Sequence, residues 1–336
     1  MKKVTAIFAI FCFIVCSAKA QTIDSSSYYL NAGKTARTER KFLSASKLFE
    51  KSISFNNKNI EAYIQNGLVN LDMKRPSIAV SFLEKALALD PKNIEVISTL
   101  SLQYYNLRKY NEAINLARKC INCENSLKII GMSQYALQDY TSAEKTLLPL
   151  AASTNDAEII YSLGKAYLNR EEFDKAISYY EKAIILEPAK SLWLYELANI
   201  YYNKQNFESS LLCLEKAVAA GFPQSLTLKE NMGFTAIEAG QYDKGEQLLE
   251  EVVKLKTGNK SIYFDVAIML YQKGQFDRSL KYCQKMLEAD SLNARALYQA
   301  GLNFQKKGQK DKGQNMCDKA IEMDPSLERL RTKKEL

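Results

Sequence analysis

Histidine is absent from this 336-residue chain, and tryptophan occurs only once. The chain therefore lacks the commonest metal ligand and the commonest general acid or base, and a Ser-His-Asp triad is excluded. Proline and glycine are scarce, at 6 and 13 residues, which argues against long disordered stretches. No glycine-rich phosphate-binding loop and no strand pattern is visible. These absences predict a chain that is not an enzyme, binds no cofactor and has no metal centre.

The first twenty residues have the pattern of an export signal. Lys2 and Lys3 precede an apolar run over residues 4–16, and Ala18 and Ala20 are the small residues of a cleavage site. Thirteen residues are too few to cross a hydrocarbon core of about 30 Å as a helix. We expect a cleaved signal peptide over residues 1–20, no transmembrane segment in the mature chain, and export to the periplasm or beyond. The short basic start is typical of a bacterial protein.

Charge of one sign is also scarce in the mature chain. The net charge of the full sequence is +8, and loss of Lys2, Lys3 and Lys19 with the signal lowers it to +5. The remaining charges are scattered and mixed in sign, which is typical of a solvated surface. The sequence therefore predicts no nucleic-acid partner.

What the chain has in abundance is internal repetition at a period of about 34 residues. In one common register, nine copies cover residues 26–327, after a short extension over residues 21–25. Such a period is typical of arrays in which each unit buries its apolar surface only by stacking on its neighbours. The copies begin at Ser26, Ile60, Ile94, Glu124, Ala157, Ser191, Leu226, Lys260 and Ala294.

Each copy predicts two helices. The fifth copy, residues 157–189, has two stripes of small and apolar residues at helical spacing, separated by a polar turn at 169–172, and Pro188 ends the second stripe. The eighth and twentieth positions never hold a large side chain, whereas position 24 usually does. The stripes comprise Ile160, Leu163, Gly164 and Tyr167, then Phe173, Ala176, Ile177, Tyr180 and Ala183.

This set of small and large positions resembles the tetratricopeptide repeat family, and the resemblance covers 302 of 336 residues. It implies an all-α fold, an α-solenoid in which antiparallel helix pairs form a right-handed superhelix. It also implies that the first helices line a concave groove and the second helices form the convex back. Residues 328–336 remain as a short tail or partial capping helix. An uncapped end leaves self-association through the last repeat as an alternative.

Five cysteines remain in the mature chain, and two of them form a Cys-X-X-Cys pair. Cys120 and Cys123 end the third repeat, which is four residues short and so predicts a tight or truncated last turn. The pair lies at the end of a helix, where the helix dipole disfavours a thiolate. Three interpretations stay open: burial of Cys120 in the core, a structural disulfide, or a redox pair. Cys283 and Cys317 share position 24 of adjacent repeats and predict core residues.

By the family resemblance, positions 2, 5, 6, 9, 12 and 13 of each first helix face the groove. Tyrosine and asparagine are frequent at these positions. A tyrosine ring offers a large contact area, and an asparagine amide can hydrogen-bond to a peptide backbone. The carboxylate-clamping set of Lys, Asn and Arg that some family members carry on three consecutive first helices is missing. The predicted partner-binding residues are Tyr105, Asn106, Tyr135, Tyr161, Lys165, Asn169, Tyr195, Asn199, Tyr202, Asn203 and Tyr298.

Two functions from different classes fit this pattern. The first is an exported, non-enzymatic scaffold that binds a peptide or protein partner of the cell envelope in the groove. The alternative is a glycan- or peptidoglycan-binding module that uses the tyrosines as stacking platforms. Because a repeat fold does not define a ligand, the sequence leaves both open.

Overall fold

The computed structural model describes residues 25–123, 125–255 and 261–331. The predicted signal peptide lies outside these residues. The described chain is helical throughout, without a strand, and divides into two compact units, Met1–Glu172 and Phe173–Leu336. None of its helices is both long enough and apolar enough to cross a membrane.

In the N-terminal unit, helices alternate between the first and second member of a pair, and successive helices pack on one another. The bounds are α1 25–38, α2 Phe42–Phe55, α3 Ile60–Asp72, α4 Pro76–Leu89, α5 Ile94–Asn106, α6 Tyr110–Ala117, α7 Ser126–Ala136, α8 Tyr140–Ser153 and α9 Ala157–Asn169.

The C-terminal unit continues the alternation, beginning with a second helix. Its bounds are α10 Phe173–Leu186, α11 Ser191–Asn203, α12 Phe207–Ala219, α13 Leu226–Glu238, α14 Tyr242–Leu255, α15 Ser261–Gln272, α16 Phe276–Ala289, α17 Ala294–Lys306, α18 Lys310–Met323 and α19 Glu328–Arg331.

The predicted helix pairs are confirmed, and the small positions have the predicted role. A Cβ atom added to Gly233 on α13 would lie 2.6 Å from the Leu249 side chain on α14. The same pairing of position 8 with position 24 recurs at Gly67 with Leu83 in the N-terminal unit. Close helix approach therefore depends on a missing side chain in one helix and a large one in its partner.

The third repeat is truncated as its length predicts. Its second helix, α6, has only 8 residues and ends in a 3-10 turn, Arg118–Cys120. The seventh repeat is reached through Gly221, whose φ is +89°. The predicted C-terminal tail begins as a one-turn helix, α19, after a 3-10 turn at Pro325–Leu327. The exact repeat boundaries stay a prediction. So do the bounds of the signal peptide, the N-terminal extension and the C-terminal tail.

In the described chain, a residue in the left-handed conformation follows the end of each first helix, a feature that the repeat pattern does not predict. The residue has a positive φ in all nine turns and is glycine only in the last three. A side chain in this conformation costs about 1–2 kcal/mol, so six turns carry strain that the packed helices hold in place. The residues are Arg40, Lys74, Arg108, Gln138, Glu171, Gln205, Gly240, Gly274 and Gly308.

Replacing Gly274 with alanine should lower the free energy of unfolding by about 1 kcal/mol. Its φ is +72° and no atom lies within 4 Å of an added Cβ, so backbone strain is the only cost. Urea denaturation followed by circular dichroism measures the change. Gln205→Ala is the matched control, because the strain is already present there and the change should stay within about 0.5 kcal/mol. Equal losses in the two variants would contradict the assignment.

Candidate functional site

Successive first helices lie side by side within each unit. In the N-terminal unit α5 contacts α7 and α7 contacts α9; in the C-terminal unit α13 contacts α15 and α15 contacts α17. Asparagine, aspartate or serine side chains cap several of these helices by accepting a backbone N–H of the first turn, which fixes where each helix begins. The capping residues are Asn59, Asn93, Asp156, Ser225 and Asn293.

Four of the predicted binding residues of the N-terminal unit form one cluster on α7 and α9. The Lys165 ammonium lies 5.4 Å from the ring centre of Tyr135 and 5.3 Å from that of Tyr161. The Asn169 amide donates to the Tyr135 hydroxyl at 3.2 Å and to the Lys165 carbonyl at 2.8 Å. These side chains satisfy one another, so they form a preorganised surface rather than free ligand-binding groups.

The other two predicted residues of this unit lie on α5. The Tyr105 ring is tilted against Tyr110 at 5.9 Å, and burial raises the pKa of Tyr105. Asn106 is exposed at the end of the same helix.

In the C-terminal unit, Asn199 and Tyr202 on α11 line a cavity of about 460 Å³. Tyr202 is 41% exposed, packs edge-on against Phe207, and has a raised pKa because of burial and the charge of Glu238. Asn203 is exposed beside it. We call this cavity the middle cavity. Its remaining lining residues are Ser210, Leu214, Asn231, Phe234, Thr235, Glu238, Asp265 and Met269.

Two further predicted partner-binding residues, Tyr195 and Tyr298, are partly covered by neighbouring side chains. The Tyr195 ring stacks on Phe222 at 4.5 Å, so one of its faces is covered. Tyr298 is only 6% exposed and packs with Cys317 and Leu327. Tyr298 nevertheless contributes to the lining of a cavity at α15 and α17, together with Leu327 from the segment after α18.

The middle cavity also has an acidic side that was not among the predicted binding residues. Asp265 and Asn231 occupy position 6 of their repeats, and Glu238 occupies position 13. These positions are among those that the family resemblance places in the groove, so the sequence carries a signal for them, although neither carboxylate is among the predicted tyrosine and asparagine residues. Lys273 pairs with Glu238 at 2.7 Å, whereas Asp265 forms no ion pair with any of the residues described.

Asp265→Asn should raise the free energy of unfolding at pH 7. Desolvation, then the charge of Glu230, raises the pKa of Asp265 in the folded state. The folded state therefore holds this proton more tightly than the unfolded state, and stability falls as the pH rises through the folded pKa. The gain from the substitution should vanish at pH 3, below the unfolded pKa. Thermal melts across this range measure it.

Glu251→Gln is the control, because folding lowers the pKa of Glu251 whereas it raises that of Asp265. A hydrogen bond from Lys229 lowers the pKa of Glu251, so its stabilisation is present at neutral pH and lost on acidification. This variant should be less stable at pH 7 and match the parent at low pH. Destabilisation by Asp265→Asn at pH 7 would contradict the raised pKa.

The Cys-X-X-Cys pair forms a disulfide between Cys120 and Cys123. Both residues are half-buried, and Cys120 packs at the edge of the core around α4 and α5, so of the three interpretations the disulfide is the one present in the structure. The bridge closes the turn that joins the truncated third repeat to α7. Its position stabilises the short junction where a full second helix is missing.

Reduction of this disulfide should lower the stability of the N-terminal unit by about 1–2 kcal/mol, because the closed loop is short. Hydrogen exchange of α6 and α7, with and without dithiothreitol, measures the local change. The Cys120→Ser/Cys123→Ser variant should match the reduced parent and should not respond to reductant. If dithiothreitol changed the hydrogen exchange of the Cys120→Ser/Cys123→Ser variant, the effect of the reductant would not come from this disulfide.

Three further cysteines lie in the described part of the chain, Cys213, Cys283 and Cys317, and all three are buried and outside the disulfide. Burial raises the pKa of Cys213 to about 11 and that of Cys283 to about 12. Their thiols are therefore protonated at neutral pH, and Cys283 and Cys317 have the core role that their repeat position predicts. Among the described residues, no group of three or more Cys, Asp or Glu side chains is placed to hold a metal ion.

Comparison with known families agrees with the helix pairs. Tetratricopeptide repeat profiles match residues 157–189, 194–220, 232–294 and 294–327, and the profile of anaphase-promoting complex, cyclosome, subunit 3 matches residues 72–150. The chain belongs to the tetratricopeptide repeat family.

Curated relatives are similar over about half of this chain. The peroxisomal targeting signal receptor of Komagataella phaffii is 28% identical over 159 residues, 43% of this chain and 27% of the receptor. That of Saccharomyces cerevisiae is 26% identical over 165 residues, 45% of this chain and 27% of the receptor. A probable UDP-N-acetylglucosamine–peptide N-acetylglucosaminyltransferase, SPINDLY of Hordeum vulgare, is 24% identical, over 50% of this chain and 19% of that protein. The chain thus spans about a quarter of the receptors' length.

Two solved structures are similar at low identity. YrrB, described as a tetratricopeptide repeat protein with an unusual peptide-binding site, is 24% identical, with a TM-score of 0.38 over 58% of this chain and 98% of YrrB. The tetratricopeptide repeat domain of P58(IPK) is 17% identical, with a TM-score of 0.29 over 92% of this chain and 99% of that domain.

Proposed function

We propose that this protein is an exported, non-enzymatic scaffold whose first helices bind an extended segment of a partner protein. The observation that carries the proposal is the middle cavity, which opens between the first helices of three consecutive repeats. Its walls combine exposed amides, Asn199 among them, with aromatic surface from Tyr202 and Phe234. Amides can bond a peptide backbone of any sequence, and the rings bury the side chains between.

The family supports the same function. Tetratricopeptide repeats typically act as scaffolds without catalysis, and receptors for a peroxisomal targeting signal are among the relatives. This likeness supports the binding of a peptide or protein; it does not extend to the particular signal.

Site-specific photocrosslinking tests the proposal. A benzoylphenylalanine at Tyr202 should capture a discrete partner, whereas the same residue at Lys182, exposed on the second helix α10, should not. The capture at Tyr202 should weaken when Asn199 and Asn231 are both replaced by alanine. Equal capture from Lys182, or capture that the alanines leave unchanged, would contradict binding at this surface.

The glycan-binding alternative makes a different prediction for the same protein. Peptidoglycan fragments should then compete with the crosslink and bind in a titration that depends on Tyr202. Stacking on Tyr195 is less favourable for this alternative, because Phe222 already covers one face of its ring.

Export has its own test. Fractionation of cells should place the protein outside the cytoplasm, and amino-terminal sequencing should find Gln21 as its first residue. A protein that keeps Met1 and stays in the cytoplasm would contradict the proposed location.

A further inference from the structure

A second cavity, of about 620 Å³, lies at the last two first helices, and we call it the terminal cavity. Its floor is formed by α15 and α17, with α18 at one side. The segment after α18 contributes the remaining wall through residues 326–330. Apolar side chains cover much of this surface, namely Phe264, Ile268, Leu302, Leu327 and Leu330.

The charged lining of the terminal cavity has one sign. Arg295, Lys306 and Arg329 line it, and no carboxylate does among the residues described. Arg295 and Lys306 are exposed, and neither forms an ion pair with a carboxylate of the described chain. Asp324 lies close enough for the arginines to help lower its pKa, but it mainly accepts hydrogen bonds from Ser326 and is not part of the lining. The lining therefore offers positive charge to a ligand, and Asp324, outside the lining, offsets part of the charge of the arginines.

A buried amide also lines the terminal cavity. Gln299 is only 7% exposed, and its Nε2 has no hydrogen-bond partner among the described residues. A buried donor without an acceptor is costly, by about 1–3 kcal/mol. A ligand oxygen that reaches Nε2 from the cavity, with a small shift of the amide, would accept this bond and remove the cost.

The spacing of the cations limits the shape of the ligand. Arg295 and Lys306 are eleven residues apart on α17, which is close to three full turns, so both lie on one face at a separation of about 16 Å. Gln299 and Leu302 lie between them on that face. An extended peptide covers the same distance in about five residues.

We propose that the terminal cavity binds an internal acidic segment of a partner protein, in which two acidic side chains about five residues apart flank a large apolar side chain. The acidic groups pair with Arg295 and Lys306, the apolar side chain packs on Leu302, and a backbone carbonyl accepts from Gln299. A single terminal carboxylate would satisfy only one end of this face. The proposal rests on the proposed function and adds the chemistry of the segment that is recognised.

Fluorescence anisotropy with the full mature chain tests the assignment. The probe is a fluorescein-labelled, carboxyl-amidated peptide with glutamates five residues apart and a leucine midway. Glutamine in place of both glutamates should weaken binding about tenfold, and lysine should weaken it further. A leucine peptide with a free carboxyl terminus and no acidic side chain should bind no better than the glutamine peptide.

Three variants locate the binding. Arg295→Gln and Lys306→Gln should each weaken binding of the glutamate peptide about two- to fivefold, as expected for exposed charge pairs. Gln299→Met, similar in volume, should weaken it about tenfold, because a buried hydrogen bond is lost. Lys319→Gln is the matched control: it removes an exposed charge on α18 outside the cavity and should bind like the parent.

Several results would overturn the proposal. If the glutamate and lysine peptides bound with equal affinity, peptide binding would stand but the acidic segment would not. The same holds if Lys319→Gln weakened binding as much as Arg295→Gln and Lys306→Gln do. If the leucine peptide with a free carboxyl terminus and no acidic side chain bound tightly, the ligand would be the end of a chain and not an internal segment. Absence of binding by all peptides would also overturn it, and crosslinking from Tyr202 would then decide separately whether the proposed function stands.

Discussion

Replacing Tyr282 with alanine should lower the free energy of unfolding of the C-terminal unit by about 4 kcal/mol. The ring is fully buried in the core formed by α13 to α17, where it lies 5.7 Å from the ring of Tyr263 and 5.0 Å from the Lys285 ammonium. Loss of the ring leaves a void that helices fixed by their neighbours cannot close. Urea denaturation followed by circular dichroism measures the change.

Tyr282→Phe separates the ring from its hydroxyl. The hydroxyl donates to Glu250 over a long 3.4 Å, and Lys285 donates to the same carboxylate at 2.6 Å, so Glu250 keeps a strong partner in the variant. We expect a loss of about 1 kcal/mol or less. If phenylalanine cost as much as alanine, the stabilisation would come from the hydrogen bond rather than from packing.

Gly245→Val should lower the free energy of unfolding by about 3 kcal/mol, by overpacking where α13 and α14 cross. An added Cβ would lie 2.7 Å from the carbonyl oxygen of Gly233 and 3.0 Å from the backbone nitrogen of Ile237. These are backbone atoms, which no rotamer change can move, so the two helices would have to separate. Denaturation together with hydrogen exchange of α13 and α14 measures the effect.

Gln247→Val is the control for that substitution. It introduces the same β-branched side chain into the same helix at an exposed position, and should cost only the difference in helix propensity, about 0.5 kcal/mol. A similar loss in both variants would mean that helix propensity, and not the close approach of backbones, dominates at Gly245.

Both stability losses should remain largely local. In a repeat array each unit contacts mainly its neighbours, so the stability is close to a sum of repeat and interface terms. Hydrogen exchange in α2 to α5 should therefore change little in either variant. Loss of protection there would indicate that unfolding is cooperative over the whole chain.

Position 20 shows how one steric requirement is met by different residues. At Gly313 the backbone of α18 approaches α17 so closely that an added Cβ would lie 2.5 Å from a carbonyl oxygen. At Ser279 the hydroxyl instead donates to the carbonyl oxygen of Ala267 at 2.6 Å, and Ser210 bonds Ala198 in the same way at 2.8 Å. The sequence pattern therefore predicts the close approach, and the identity of the residue decides whether a hydrogen bond accompanies it.

The sequence alone determined the helix pairs, the truncated third repeat and the small residues between paired helices. These features are local or recur at a fixed period, so that spacing and side-chain volume are sufficient to predict them. The sequence also predicted which positions face the groove, and Asn199 and Tyr202 do line a cavity.

Only the tertiary structure decided which of those side chains are open to a ligand. Phe222 covers one face of the Tyr195 ring, and Tyr298 packs with Cys317 and Leu327. Asp265 and Gln299 line cavities; among the described residues Asp265 forms no ion pair, and the Gln299 Nε2 has no hydrogen-bond acceptor. Repeat position gives the direction of a side chain, but exposure and pairing depend on neighbours in other helices. For the same reason the bond between Cys120 and Cys123, one of three open interpretations of their spacing, was decided by how the backbone folds at the short junction.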